Sequence, residues 1–172
     1  MPDTVRTLAA LQALHADNAA GDISAQDNRD LLVSVFPPEP EVTRVATVES
    51  TTSSSYADLA TAGPAVTVTV GSSGILIVNL YSFIHNDGAT TNGAAMAYAL
   101  SGANTVAAND THSLRCYPSN DTGRQSSYSA TFVHTGLSAG STTITAKYRR
   151  LEGNNGVFSN REVSAIAWGG DF

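Results

Sequence analysis

Six consecutive residues, Ala65-Val66-Thr67-Val68-Thr69-Val70, alternate apolar and polar side chains around valines and threonines. Only an extended strand puts every second side chain on one face, so this run commits its part of the chain to a half-buried β-sheet. Gly71-Ser72-Ser73-Gly74 follows as a turn, and Ile75 to His85 is apolar enough for a central strand buried on both faces. Further strands are predicted over Val42 to Val48, Ala94 to Leu100, His112 to Tyr117, Tyr128 to Thr135, Thr142 to Arg149 and Glu162 to Trp168, separated by turns rich in Gly, Asn and Asp. Seven to nine short strands at this spacing predict a mainly β chain whose body is a jelly-roll-like β-sandwich.

The start of the chain follows another period. Leu8, Leu11 and Leu14 recur at three-residue spacing among alanines, which predicts a helix with a narrow apolar stripe ending near Gly21. Ser24, with Asp27 three residues on, has the pattern of a helix N-cap, and Leu31, Leu32 and Val35 supply the buried face of a second helix. Phe36-Pro37-Pro38-Glu39-Pro40 stops it, because proline cannot continue a helix. The organisation read from these signals is a helical attachment segment over residues 1–36, a Pro- and Ser/Thr-rich linker or first strand over 37–55, and a β-sandwich over 56–172. A helical hairpin of this size cannot hold a core alone. Leu8, Leu11, Leu14, Leu31, Leu32 and Val35 are therefore the candidate attachment and oligomerisation residues.

Charge divides the chain at the same place. Nine acids face three arginines up to Ala60, while from Thr61 onward six acids balance six bases, so the head carries the whole net charge of −6. Charged residues are only 14% of the chain, a composition suited to packed, repetitive assembly. An acidic chain without clustered Lys and Arg is no phosphate-backbone binder, so no nucleic-acid partner is expected. Lys147, Arg149 and Arg150 form the one approach to a basic cluster and read as a polar strand end. No apolar run approaches the roughly 20 residues of a membrane span, and no basic-then-apolar leader opens the sequence, so neither membrane insertion nor a signal peptide is expected. Cys116 is the single cysteine and reads as an inert, buried strand thiol.

Candidate chemistry is sparse. Asn86-Asp87, Asn109-Asp110 and Asn120-Asp121 sit in predicted turns, where Asn and Asp close the turn through their own side chains; none has the alternating acids of a calcium loop. His15, His85, His112 and His134 lack metal-ligand spacing, and the last residues of apolar strands, His85 and His134, read as solvated or backbone-bonded. No nucleophile elbow, paired carboxylates or phosphate-binding glycine loop is present. The expectation is a non-enzymatic protein with no cofactor and no metal. Gly136 to Gly140 followed by Ile144, Ala146 and Tyr148 has the pattern of a sandwich corner, where the tyrosine either bonds back to the corner backbone or packs at an interface. Tyr117, Tyr128 and Trp168 are the aromatic candidates for a glycan platform, with core or interface packing as the other reading of each.

The segments Leu8-Ala9-Ala10-Leu11-Gln12-Ala13-Leu14, Asp17-Asn18, Gly21-Asp22-Ile23-Ser24, Gln26-Asp27, Arg29-Asp30 and Val33-Ser34-Val35 resemble the N-terminal part of virion structural proteins of tailed bacteriophages. Ser55-Tyr56-Ala57-Asp58-Leu59, Gly63-Pro64 with Val66, Val68 and Val70, and the Gly136 to Tyr148 corner are similar to fibre-tip β domains of such phages. The resemblance implies a capsid decoration or head fibre protein, made in the host bacterial cytoplasm and located in the virion. It implies a homotrimer without catalytic residues that contacts the major capsid protein or another virion component. A short tail or baseplate fibre whose β knob binds a host-surface glycan is the alternative.

Overall fold

The structure, a computed structural model, describes residues 10, 13, 24–35, 39–85, 93–116, 125–153 and 155–168. The elements described in full are a helix, α1 (Ala25–Val35), and after it the strands β1 (Glu41–Val45), β2 (Glu49–Thr51), β3 (Ala65–Val70), β4 (Ile75–His85), β5 (Gly93–Gly102), β6 (Ser113–Cys116), β7 (Gln125–His134), β8 (Gly140–Glu152) and β9 (Gly156–Trp168). A single 3-10 turn, Asp110–His112, leads into β6. Of the first predicted helix only Ala10 and Ala13 are described, both helical; Leu8, Leu11 and Leu14 lie outside the described residues.

The strands form two antiparallel sheets. The first has the order β1-β9-β4-β7 with β2 also on β9, and the second has the order β3-β8-β5-β6. From β2 to β5 the chain crosses between sheets at every step; β5 and β6 share the second sheet, and crossing resumes from β6 to β9. That is the strand order of a jelly roll. The two inner faces enclose one core, which includes Val66, Val68 and Val70 of β3, Leu76, Val78, Leu80 and Ile84 of β4, Met96, Tyr98 and Leu100 of β5, and Ile144, Ala146 and Tyr148 of β8. Each such side chain, fully buried, contributes on the order of 1.5–3 kcal/mol before conformational entropy is counted.

The period-2 reading holds at β3, whose valines are buried and whose threonines are exposed. It corrects the reading of β4. Although central, β4 buries only alternate residues, and Ile75, Ile77, Asn79, Tyr81 and Phe83 lie half-buried on the other face. The apolar character of that strand therefore serves a core on one side and an outer surface on the other. Residues 41–51, given as linker or first strand, form β1 and β2, and both pair with β9. Thr51 to Ser55 is likewise no free linker. Arg150 N donates to Ser53 O at 2.8 Å and Arg150 Nε to Thr52 O at 2.8 Å, so the hydroxyl-rich run lies along β8.

β9 carries a bulge. Tyr81 pairs with Glu162 and Phe83 with Ser159, so Asn160 and Arg161 together oppose Ser82. Asn160 takes a left-handed conformation with φ 48°, which asparagine tolerates better than most residues. The extra residue shifts the alternation by one. Phe158 and Arg161, three apart, are both fully buried, which a regular strand of period two does not allow for one face.

Candidate functional site

The helix is built as its sequence signals require. Ser24 Oγ accepts from Asp27 N at 3.1 Å while Asp27 Oδ2 accepts from Ser24 N at 2.9 Å, a reciprocal capping box that satisfies two otherwise orphaned donors. Gln26 Nε2 donates to Asp30 Oδ1 at 2.8 Å, and Asp30 is almost completely buried. Leu31 is half-buried, Leu32 is 54% exposed, and the Val35 side chain lies outside the described residues. Among the α1 side chains that are described, none belongs to the jelly-roll core.

A second apolar surface lies on the outer face of the first sheet. Ile77 pairs with Ile166 of β9 on one side and with Val133 of β7 on the other, giving a three-strand apolar row; Val133 is 59% exposed. Pro40, at the end of the segment that leaves the helix, lines a dimple of about 70 Å³ together with Ile77 and Ile166. Ile75 and Trp168 form the adjacent pair. Trp168 thus sits at the end of an apolar row. Tyr128 donates its hydroxyl to Cys116 Sγ at 3.1 Å and packs against the core, and Tyr117 lies outside the described residues.

The basic residues of β8 are all engaged, Lys147 and Arg149 on the outer face of the second sheet and Arg150 at the end of its inner-face register. Lys147 Nζ lies 2.8 Å from Asp58 Oδ2, Arg149 Nη2 lies 2.7 Å from Asp110 Oδ1, and Arg150 Nη1 donates to Gly153 O. Ala95 of β5 has Arg149 as its partner on β8 and Arg115 as its partner on β6, so a small residue separates two guanidinium groups in one row. Asp110 reaches both, being 3.3 Å from Arg115 Nη2, and it also accepts from the Tyr56 hydroxyl at 2.9 Å. Burial raises the Asp110 pKa, but the Tyr56 and Arg149 hydrogen bonds and the two cations outweigh it and hold the carboxyl below its ordinary value. Arg149 also lies 5.2 Å from the Tyr56 ring centroid. Ser54, Ser55, Tyr56, Asn109, Asp110 and Arg149 line an open groove of about 540 Å³. Asn109 itself caps the 3-10 turn by accepting from Thr111 N, the turn chemistry its sequence suggested; Asn86-Asp87 and Asn120-Asp121 lie outside the described residues.

Three arrangements carried no local sequence signal, because their members are distant in the chain. Arg161, fully buried, pairs with Glu49 at 3.1 Å, donates to Thr47 Oγ1 at 3.1 Å and lies 5.4 Å from the Tyr148 ring centroid. Burial pushes the Glu49 carboxyl up, but hydrogen bonds from the Thr61 hydroxyl and amide, with Arg161 behind them, hold it below its ordinary value. Asn104 ties the predicted corner, accepting from Ser138 N at 2.8 Å and donating to Ser138 O and Thr142 Oγ1, both at 2.9 Å. Tyr148 does not bond back to that corner; its hydroxyl goes to Gly63 O. The third arrangement corrects the reading of His134 as solvated or backbone-bonded. Its Nε2 lies 2.7 Å from the Tyr98 hydroxyl, and its ring packs 4.6 Å from that of His112. The side chains of His15 and His85 lie outside the described residues.

Among the described residues no group of three or more His, Cys, Asp or Glu is placed to hold a metal ion, and no helix is long and apolar enough to cross a membrane. No protein-family model matches the chain, and no curated protein matches it. Among solved structures it is similar to Eiger TNF from S. frugiperda, with 11% identity and a TM-score of 0.46 over 77% of this chain and 93% of that one. It is similar to infectious bursal disease virus, Gx strain, with 13% identity and a TM-score of 0.40 over 76% of this chain and 32% of that one. A third similarity is to dimeric latent PorU from Porphyromonas gingivalis, with 10% identity and a TM-score of 0.38 over 76% of this chain and 13% of that one. The jelly-roll assignment rests on the strand order itself.

Proposed function

We propose that this chain is a non-enzymatic structural component of a tailed-phage virion, a capsid decoration or head fibre protein. It attaches through its N-terminal helical segment and displays the jelly roll. The observation that carries this reading is an exposed leucine on a capped helix that precedes the jelly roll. The core is filled by strand and loop residues from Leu59 to Ala167, while the capped helix holds Leu32 exposed. An apolar side chain left more than half exposed by its own fold is available to a partner. The apolar row of Ile77, Ile166 and Val133 adjoins Pro40 and offers a second apolar surface on the first sheet. The charged groups of the second sheet and of the Glu49–Arg161 pair are braces between strands and loops, a use that suits a displayed scaffold. The partners in this reading are sister subunits, as a homotrimer, and the major capsid protein or another virion component.

The test is addition of purified protein to virions assembled without it, scored by co-sedimentation. The full chain is compared with a chain starting at Glu41, which retains every described strand. Uptake of the full chain alone supports attachment through the helical segment. Equal uptake of both places attachment on the jelly roll.

The alternative, a short tail or baseplate fibre that binds a host-surface glycan, is favoured by the open groove at Tyr56, where a ring, a carboxylate and a guanidinium lie together. Vicinal sugar hydroxyls pair with planar carboxylate and guanidinium groups, and sugar C–H faces pack on aromatic rings. Glycan-array binding that disappears in Tyr56→Ala would favour this alternative over decoration.

A further inference from the structure

Among the described residues β6 and β7 are the terminal strands of their sheets, and they meet along one side of the sandwich. That edge is filled by four rings. Tyr98 comes from β5 in the second sheet, His112 from the turn that leads into β6, and Phe132 and His134 from β7 in the first sheet. The two imidazole centroids are 4.6 Å apart, with planes tilted by 43°. The ring of Phe132 meets His112 edge-on at 5.6 Å. Tyr98 is 2% exposed, and its hydroxyl has His134 Nε2 at 2.7 Å as its partner.

This packing suits neutral imidazoles. They stack as small aromatic rings, and an unprotonated Nε2 accepts the Tyr98 proton. Protonation at His134 Nε2 reverses that bond and leaves the buried phenolic proton without its acceptor. Charging the second ring as well sets two cations against each other across the sheet boundary. We propose that His112 and His134 form an acid-sensitive clasp between the two sheets, closed when both rings are neutral and released by protonation so that the β6–β7 edge opens.

Among the described residues, the titratable groups facing His134 are the Tyr98 hydroxyl from β5 and the His112 ring from the turn before β6. Further along the same edge, the Cys116 thiol of β6 meets the Tyr128 hydroxyl of β7. The carboxylate nearest His112 in sequence, Asp110, is occupied on the outer face by Arg149, Arg115 and Tyr56. Burial first, and the neighbouring His112 second, lower the His134 pKa from its ordinary 6.5. A base whose folded pKa lies below its unfolded one is protonated first in the unfolded chain as pH falls. The clasp therefore contributes fully above about pH 6.5 and is lost progressively below it. Glu49 and Asp110 are acids held below their ordinary 4.5 and 3.8, so their losses come at lower pH.

The experiment is urea unfolding of the full chain at about pH 7.5 and about pH 5.5, on either side of the ordinary histidine value. The wild type is compared with His112→Phe/His134→Gln, which keeps a ring and a side-chain acceptor but cannot charge. His15 and His85 remain in both proteins, so their contributions cancel. The expected result is a midpoint that falls further at the lower pH in the wild type than in the variant. Hydrogen exchange, corrected for intrinsic rate, should accelerate in residues 113–116 and 125–134 of the wild type alone. Equal falls in the two proteins, or acid loosening confined to β3 and β8, would overturn the clasp. Should the variant fail to fold, imidazole NMR titration of the wild type decides. A folded His134 that titrates at or above 6.5 overturns the proposal, and one that titrates below it, in step with a shift at His112, supports it.

Discussion

The hydroxyl of Tyr148 donates a 2.8 Å hydrogen bond to the carbonyl of Gly63, joining a fully buried β8 ring to the loop that delivers β3. The same ring packs against Phe158 with centroids 4.9 Å apart. Tyr148→Phe keeps that packing and strands a buried carbonyl. Its expected cost is about 1–3 kcal/mol, the penalty of an unsatisfied buried polar group. Urea unfolding reads this as a lowered midpoint at unchanged slope.

The Glu49–Arg161 pair sets up a directional comparison. Glu49→Gln leaves a fully buried guanidinium without its counter-ion, and breaking a buried pair this way costs about 3–5 kcal/mol. Arg161→Met fills similar space and leaves Glu49 with its Thr61 donors, so it should cost less. The pH dependence follows from Glu49 being held below its ordinary 4.5. The unfolded chain takes up the proton first, so the stability is present above about pH 4.5 and declines as pH falls toward the folded value. Glu49→Gln should flatten that acid limb of the thermal-unfolding curve. A limb unchanged in the variant would assign it to other carboxylates.

What the sequence made legible was local. The alternation at Ala65 to Val70, the capping box at Ser24 and Asp27, and the glycine turn at Gly71 to Gly74 each lie within a few residues, and each formed as read. Even so, the turn has a purpose that only tertiary structure reveals. At Gly74, φ is 65° and an added Cβ would come within 2.7 Å of Leu137 O, so the turn docks on the Gly136 corner with no room for a side chain. The bulge that turns Arg161 inward, the Asn104 tie and the His112–His134 stack left no such trace. Each depends on register between strands far apart in the chain, which periodicity within one strand cannot encode. The same limit explains β4, where apolar residues on both faces looked like two-sided burial and instead mark one core face and one outer face.

Asp110 tests how far exposure discounts an ion-pair network. It receives Arg149, Arg115 and Tyr56, yet its side chain is 44% exposed. Asp110→Asn should therefore cost only about 1 kcal/mol, and less as salt is added, far below the effect of Glu49→Gln. Thermal unfolding of both variants at low and high ionic strength makes the comparison. A loss at Asp110 equal to that at Glu49 would mean the outer-face network is as well shielded from water as the buried pair.

The helix gives the sharpest separation between stability and attachment. Ser24→Ala removes the acceptor of the Asp27 amide and should cost α1 about 1 kcal/mol. Because no described α1 side chain belongs to the core, the midpoint of jelly-roll unfolding should stay within about 0.5 kcal/mol of wild type while helical circular dichroism declines. Leu32→Asp should leave the fold equally intact, since that side chain is already 54% exposed. If Leu32 is buried on attachment, however, an aspartate there brings an unpaired charge into a dry contact, and co-sedimentation with deficient virions should fall by at least about a hundredfold in affinity, or roughly 3 kcal/mol. Unchanged uptake by Leu32→Asp would remove the helix from the attachment surface and leave the Ile77, Ile166 and Val133 row as the face to test next.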